Sequence, residues 1–195
     1  MGPLYRGCYP AWLTEGGASV APRVEPGDLE LISQKTDFLG LNVYFGDFVR
    51  SALDGQPEDL ALPSQYPKAD MPWLNITPQA IYWAIRHAHE AYGVETFYIT
   101  ENGVAYPDSI GPSGEVQDLG RREYLRNHLI SLHRAVQEGF DVRGYFLWSL
   151  LDNYEWTDGY AKRFGIIHVD YKTQKRLPKL SADWYSKVIE SNCVL

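Results

Sequence analysis

The chain has 195 residues, 45% hydrophobic and 22% charged, with a formal net charge of -7. That is enough sequence for one well-filled core and the composition of an ordinary globular protein. The acidic balance, with no basic run to track a phosphate backbone, argues against nucleic acid as a partner, and no stretch approaches the ~20 apolar residues of a membrane span.

Two cysteines, Cys8 and Cys193, make neither a disulfide framework nor a metal-ligand spacing, so a reducing cytoplasm is expected. The N-terminal MGPLYRGCYP has no apolar signal core. Aromatic residues reach 14%, with 6 Trp and 14 Tyr. Most of these rings should fill cores, but exposed ones can also stack on the faces of sugars.

In chain order, residues 1–30 read as loop with a short helix near Ala11–Glu15. Asp37–Tyr44 is a short apolar and aromatic run that suits a buried strand. Residues 46–76, with Pro57, Pro63, Pro67 and Pro72, read as irregular. Thr77-Pro78 should open a helix, Thr77 as cap and Pro78 at the first position. Ile81, Ile85, Ala88 and Tyr92 then lie at helical spacing, and Gly93 ends the segment. Thr96–Thr100 is a strand. Asp118 should cap a helix carrying Leu125, Leu129, Leu132 and Val136, which stops at Gly139. Val142–Leu150 reads as a third strand, Phe164–Tyr171 as a hairpin and Ser181–Ser191 as a last helix. Strands and helices in alternation imply parallel strands with crossover helices. Periodicity does not separate a closed barrel from a doubly wound sheet.

In either architecture functional groups collect at the C-terminal ends of the strands. There the sequence places Asn42 and Tyr44, then Glu101-Asn102-Gly103, then Trp148 and Asp152-Asn153-Tyr154-Glu155-Trp156. Carboxylates, amides and large aromatics converge, a set suited to a polyol whose C–H faces stack and whose hydroxyls hydrogen-bond. Read singly, a Glu before Asn-Gly is a turn residue. The histidines His87, His89, His128 and His133 fall on helices as packing or solvated residues, and His168 has no assigned role.

Taken together, three segments resemble glycoside hydrolase family 1. Tyr98-Ile99-Thr100-Glu101-Asn102-Gly103 is similar to that family's nucleophile signature. Trp148–Trp156, followed by Gly159-Tyr160 and Lys162-Arg163-Phe164-Gly165, is similar to its sugar-binding segment. Asp37–Tyr44 resembles one of its strands, with Val43 where the family usually has Tyr. The resemblance implies an α/β fold, the C-terminal part of a (β/α)₈ barrel, with residues 1–195 supplying strands six to eight as a single partial-barrel segment. It implies a retaining β-glycosidase acting on β-glucosides or β-galactosides, with no cofactor or metal required because two carboxylates carry the chemistry. In that mapping Glu101 is the nucleophile, Tyr44 hydrogen-bonds its carboxylate and Asn42 helps order the site. Glu155 and Trp156 bind sugar hydroxyls, Trp148 is the platform under the ring and Phe164 closes the pocket. Trp73 resembles an aromatic on the leaving-group side.

Two carboxyl groups roughly 5–5.5 Å apart are needed for retention. The family's acid/base Glu lies in an Asn-Glu-Pro segment, and no Asn-Glu-Pro occurs here. Neither Asp152 nor Asp158 is expected to replace it. A whole barrel also takes about 250 residues and eight strands. The expectation is therefore a fragment, one piece of a split enzyme that needs a complementary N-terminal piece, or a self-associating part-barrel. The Met1-Gly2 start beside family-like Pro3-Leu4-Tyr5 fits a truncated beginning. The alternative to an enzyme is a catalytically incomplete carbohydrate-binding fragment.

Overall fold

The computed structural model describes residues 1–14 and 22–194. Three short helices come first: α1 (Gly2–Arg6), α2 (Ala11–Thr14) and α3 (Asp28–Ile32). The sequence reading gave only the second of these, and Glu15, its expected end, lies outside the described residues. Then follow β1 (Leu39–Asn42), β2 (Val49–Ser51), β3 (Pro57–Asp59), α4 (Ala80–Tyr92), β4 (Thr96–Asn102), α5 (Leu119–Gln137) and β5 (Asp141–Leu147). A single 3₁₀ turn, Trp156–Asp158, precedes β6 (Ile167–Val169), β7 (Arg176–Pro178) and α6 (Leu180–Ser191).

The main sheet has the order β1-β4-β5, parallel throughout, with α4 and α5 as the crossovers. Its register breaks at the C-terminal ends, between Leu41 and Asn42 on β1 and between Ile99 and Asn102 on β4. Such bulges turn side chains out of the regular alternation. The helices cover one face of the sheet. Ile81, Tyr82, Ile85 and Ala88 of α4 meet Phe97 and Ile99 of β4, Leu129, Leu132 and Ala135 of α5, and Val188 of α6. Each fully buried large apolar side chain contributes about 1.5–3 kcal/mol. The opposite face is open: Phe38 is 51% exposed and Phe146 57%. Phe38 packs edge-on against Tyr98, 4.9 Å between centroids.

That open face corrects one expectation. Asp37–Tyr44 was read as a buried strand, but β1 alternates between half-buried and exposed positions because helices cover only one of its sides. Four other segments differ. The stretch 46–76 contains the antiparallel β2–β3 hairpin, hidden in the sequence because its six residues are all exposed and follow no apolar alternation. Thr77 does not cap α4; its buried hydroxyl accepts the Gly46 N–H at 2.7 Å, and the helix starts at Ala80. The third strand ends at Leu147 rather than Leu150, because the chain changes partners: Ser149 N–H bonds the Phe164 carbonyl and Ile166 N–H the Ser149 carbonyl. The Trp148–Ser149 peptide at this change is cis. The late hairpin is real but displaced, β6 pairing with β7 around a turn at 170–175.

Asp118 stands at the start of α5, but its carboxylate accepts no bond from the helix N–H groups. It accepts instead from Arg121 and from the Ser181 N–H and hydroxyl. This belongs to a buried ionic network. Arg121 bonds Asp108, Lys179 bonds both Asp108 and Asp152 (2.8 Å to the latter), and Arg163 bonds Asp152 at 2.5 Å. Burial first, then the Arg121 charge, pulls the Lys179 ammonium down from its ordinary value, against the attraction of the two aspartates. The network ties the loops after β4 and β5 to the start of α6.

Candidate active site

At the C-terminal end of the sheet, the β1 and β4 bulges bring Tyr44 and Glu101 together. The Tyr44 hydroxyl donates to Glu101 Oε2 at 2.7 Å. Burial, then the hydrogen bond and charge of Glu101, then the charge of Glu155, raise the Tyr44 hydroxyl far above its ordinary value, so it stays a donor at any working pH. Asn42 pairs with Glu101 across the sheet, but its amide oxygen accepts from the Thr100 hydroxyl at 2.7 Å. It therefore faces the exposed Thr100 rather than holding the carboxylate by a direct bond of its own.

Gly103 is required just beyond Glu101. A Cβ there would sit 1.6 Å from the Trp148 carbonyl oxygen, so only glycine lets the two strand ends approach this closely. That approach sets Trp148 next to the strand end that carries Glu101. The Trp148 side chain, whose indole N–H is its one donor, lies beside Glu155 and favours its ionised form. Glu155 lies in the loop after β5 and closes on itself, its N–H bonding the Gly159 carbonyl at 2.7 Å. Its carboxyl is raised from the ordinary value, first by burial and then by the negative charges of Asp158 and Glu101, while Trp148 opposes the rise. The charge of Glu101 is felt at Glu155, which places the two carboxylates near each other.

Aromatic rings wall this site on one side. Phe164 is buried and meets the Tyr44 ring edge-on at 6.3 Å. Trp73 meets Tyr44 at 6.3 Å and Phe45 at 5.5 Å. Trp156 is 80% exposed, and among the described contacts its side chain makes none that fixes it. Thus Tyr44, Glu101, Trp148, Glu155, Phe164 and Trp73 form one contiguous patch, with Asn42 and Trp156 at its margins.

The loop carrying Glu155 is held from beneath by Asp152. Its carboxylate is buried and accepts from Arg163, Lys179, Gly165 N–H (3.1 Å) and Val169 N–H (3.3 Å). These bonds make Asp152 a support for the loop, with its charge balanced. Gly165 is needed for the same closure, since a Cβ would fall 2.1 Å from the Asp152 nitrogen.

Sequence reasoning missed a second group, Asn102, Tyr124 and Tyr145, packed behind Glu101. Asn102 was quoted only as part of a motif. The tyrosines sit on a helix and a strand where an aromatic ring reads as core filling, although a phenol at such a place needs a partner for its hydroxyl. No group of His, Cys, Asp and Glu among the described residues is arranged to hold a metal ion. Buried His128 is pushed down to about 4 by burial, so it is neutral at pH 7. No helix among the described residues is long and apolar enough to cross a membrane.

Comparison with known proteins agrees with this geometry. The model of the family described as glycosyl hydrolase family 1 matches residues 1–194. A 1,4-beta-D-glucan glucohydrolase from Thermotoga neapolitana is 44% identical over 192 residues, and Beta-glucosidase A from Thermotoga maritima is 43% identical over 192. Each match covers 98% of this chain, and the chain spans 43% of the relative's own length. A solved structure, the Thermotoga maritima beta-glucosidase in complex with castanospermine, superposes with a TM-score of 0.88 at 42% identity, over all of this chain and 43% of that one. The three parallel strands and their helices are part of a (β/α)₈ barrel, and the chain belongs to glycosyl hydrolase family 1.

Proposed function

We propose that this chain carries the nucleophile side of a retaining β-glycosidase site, with β-glucosides or β-galactosides as substrates. The observation that carries the reading is the Glu101–Tyr44 pair at 2.7 Å, set at the strand ends beside Trp148 and Glu155. A Glu101 oxygen attacks the anomeric carbon and the bond to the leaving oxygen breaks, giving a glycosyl ester; water then releases the sugar and restores the carboxylate. The oxocarbenium-like transition state needs a negative charge nearby, which Glu101 supplies. Tyr44 donates to the charged carboxylate and aims it. Trp148 stacks under the ring, Glu155 accepts hydrogen bonds from sugar hydroxyls, and Trp156 adds its indole N–H once a sugar is bound. Phe164 and Trp73 shape the pocket and its leaving-group side. Asn42 lines the margin.

The proton for the leaving oxygen comes from a carboxyl group outside these residues, on a complementary N-terminal piece of the barrel. Support comes from the relatives: the Thermotoga maritima protein named beta-glucosidase is solved in complex with deoxynojirimycin, a sugar-like inhibitor, and this chain matches 44% of it.

The test is hydrolysis of a nitrophenyl β-glucoside by the chain alone and co-expressed with an N-terminal barrel segment, each with Glu101→Ala as control. Turnover in the combined species that the variant loses supports the reading. Turnover retained in Glu101→Ala contradicts it. The absence of Asn-Glu-Pro favours a second reading for the chain by itself. Saturable sugar binding, measured calorimetrically, without hydrolysis would mark it as a carbohydrate-binding fragment.

A further inference from the structure

The register breaks at the ends of β1 and β4 leave the backbone ladder irregular where Tyr44 and Glu101 meet. Backbone bonds alone hold these ends sparsely: Val43 N–H to the Glu101 carbonyl and Trp148 N–H to the Asn102 carbonyl, both at 2.9 Å. A buried side-chain hub fills the gap. Asn102 is fully buried. Its amide nitrogen donates to the Val43 carbonyl at 2.7 Å and to the Tyr124 hydroxyl at 3.0 Å. Its amide oxygen accepts the Tyr145 hydroxyl at 2.6 Å. The Tyr124 hydroxyl in turn donates to the Tyr44 carbonyl at 2.6 Å.

Both amide donors and the amide acceptor are therefore engaged, and the partners fix which way the amide points. The Tyr124 ring is itself clamped, stacked on His128 at 3.9 Å between centroids. Burial raises the hydroxyls of Tyr124 and Tyr145, keeping both protonated as donors. Strands β4 and β5, helix α5 and the segment just past β1 thus converge on one side chain. That side chain is next in sequence to Glu101, and the carbonyls it and Tyr124 hold belong to Val43 and Tyr44.

We propose that Asn102, Tyr124 and Tyr145 form a positioning unit that fixes Tyr44 and Glu101 relative to each other. None of the three needs to touch substrate. The catalytic consequence rests on the reading of Glu101 as nucleophile; the structural claim does not. A side-chain hub can aim a carboxylate more finely than two strand ends can, because its bonds are short, buried and mutually exclusive of alternatives. Misplacement of a reacting group by about 1 Å costs about 100-fold in rate.

Two mild substitutions test the unit, Tyr145→Phe and Tyr124→Phe, each removing one hydroxyl while keeping the ring. Crystal structures of the full chain give the Tyr44 Oη to Glu101 Oε2 separation. It is expected to open beyond hydrogen-bond distance in both variants, and retention of the native 2.7 Å in both overturns the proposal. The kinetic arm follows covalent labelling of the full chain, assembled with an N-terminal barrel segment, by a dinitrophenyl 2-fluoroglucoside, whose leaving group needs no acid. The limiting labelling rate is expected to fall about tenfold or more in the variants, with the half-saturating concentration little changed. A merely structural role would instead leave the limiting rate of the folded fraction at the native value. If the native assembly takes no label at Glu101, the nucleophile reading fails, and the crystallographic separation still decides the positioning claim.

Discussion

Glu101 and Tyr44 lie 57 positions apart in sequence and meet through one hydrogen bond, which makes each a sharp probe of the site. Removing the Tyr44 hydroxyl as Tyr44→Phe deletes a bond to a charged group, worth about 1.5–3 kcal/mol, so kcat in any active assembly should fall about 10- to 100-fold. Steady-state kinetics on nitrophenyl glucoside would show it, and an unchanged kcat would remove Tyr44 from the role. Glu155 offers a pH test. Its carboxyl is raised by burial and by Asp158 and Glu101, so it takes up a proton at a higher pH than an ordinary glutamate. As the carboxylate is the form that accepts sugar hydroxyls, inhibitor affinity should strengthen as pH rises through that raised value. Calorimetry across the acid range should show the dependence in the native protein and a flatter profile in Glu155→Gln.

His128 makes a separate, thermodynamic prediction at the same scale. Its folded value of about 4 lies below the ordinary 6.5, so between these two values the unfolded chain binds the proton more tightly. Its contribution is present above about pH 6.5 and is lost as pH falls toward 4, to the extent of about 3 kcal/mol. Urea unfolding of the native chain and His128→Phe at pH 7 and pH 4.5 should show the acid sensitivity reduced in the variant. Equal sensitivity in both would contradict it.

Among the elements, the loops are held more firmly than their sequence suggests. Asp152 joins the loop of Glu155 to Arg163, Lys179 and two backbone N–H groups, all largely buried. Asp152→Ala leaves Lys179 with Asp108 alone and should destabilise the chain by about 3–5 kcal/mol, whereas breaking the exposed Arg50–Glu58 pair should cost at most about 1 kcal/mol. Chemical unfolding of Asp152→Ala and Glu58→Ala side by side checks the contrast. The same elements show what could be read beforehand. α4 and α5 were legible because their apolar residues recur at helical spacing, and β4 because Thr96–Thr100 is rich in β-forming residues. Arg121 and Lys179 were not, because a charged residue beside a helix start reads as solvated until three aspartates from distant loops are brought around it. The β2–β3 hairpin was missed for the opposite reason: with every residue exposed, nothing in its pattern distinguishes strand from coil. Residues at strand ends stood out by chemistry, while Asn102, Tyr124 and Tyr145 did not, since only the fold brings their hydroxyls and amide together.

For the whole molecule, the governing feature is a sheet covered on one face only. Phe38, Tyr98 and Phe146 lie on the open side, where a closed barrel would place the interior layers of side chains. Two open strand edges flank that surface, and such edges invite further strands. A complementary barrel segment should therefore bind the chain, and Phe146→Asp should weaken that association. Sedimentation of the native and variant chains with the N-terminal segment measures this directly; equal association would show that the open face is not the contact.

The central claim, that Glu101 is the nucleophile of a retaining site, is tested most directly by locating the covalent adduct. The chain, assembled with an N-terminal barrel segment, is incubated with a dinitrophenyl 2-fluoroglucoside, digested and mapped by mass spectrometry. A single sugar adduct on the peptide containing Glu101, absent in Glu101→Gln, is the expected result. An adduct on another residue such as Glu155, or labelling undiminished in Glu101→Gln, would contradict it.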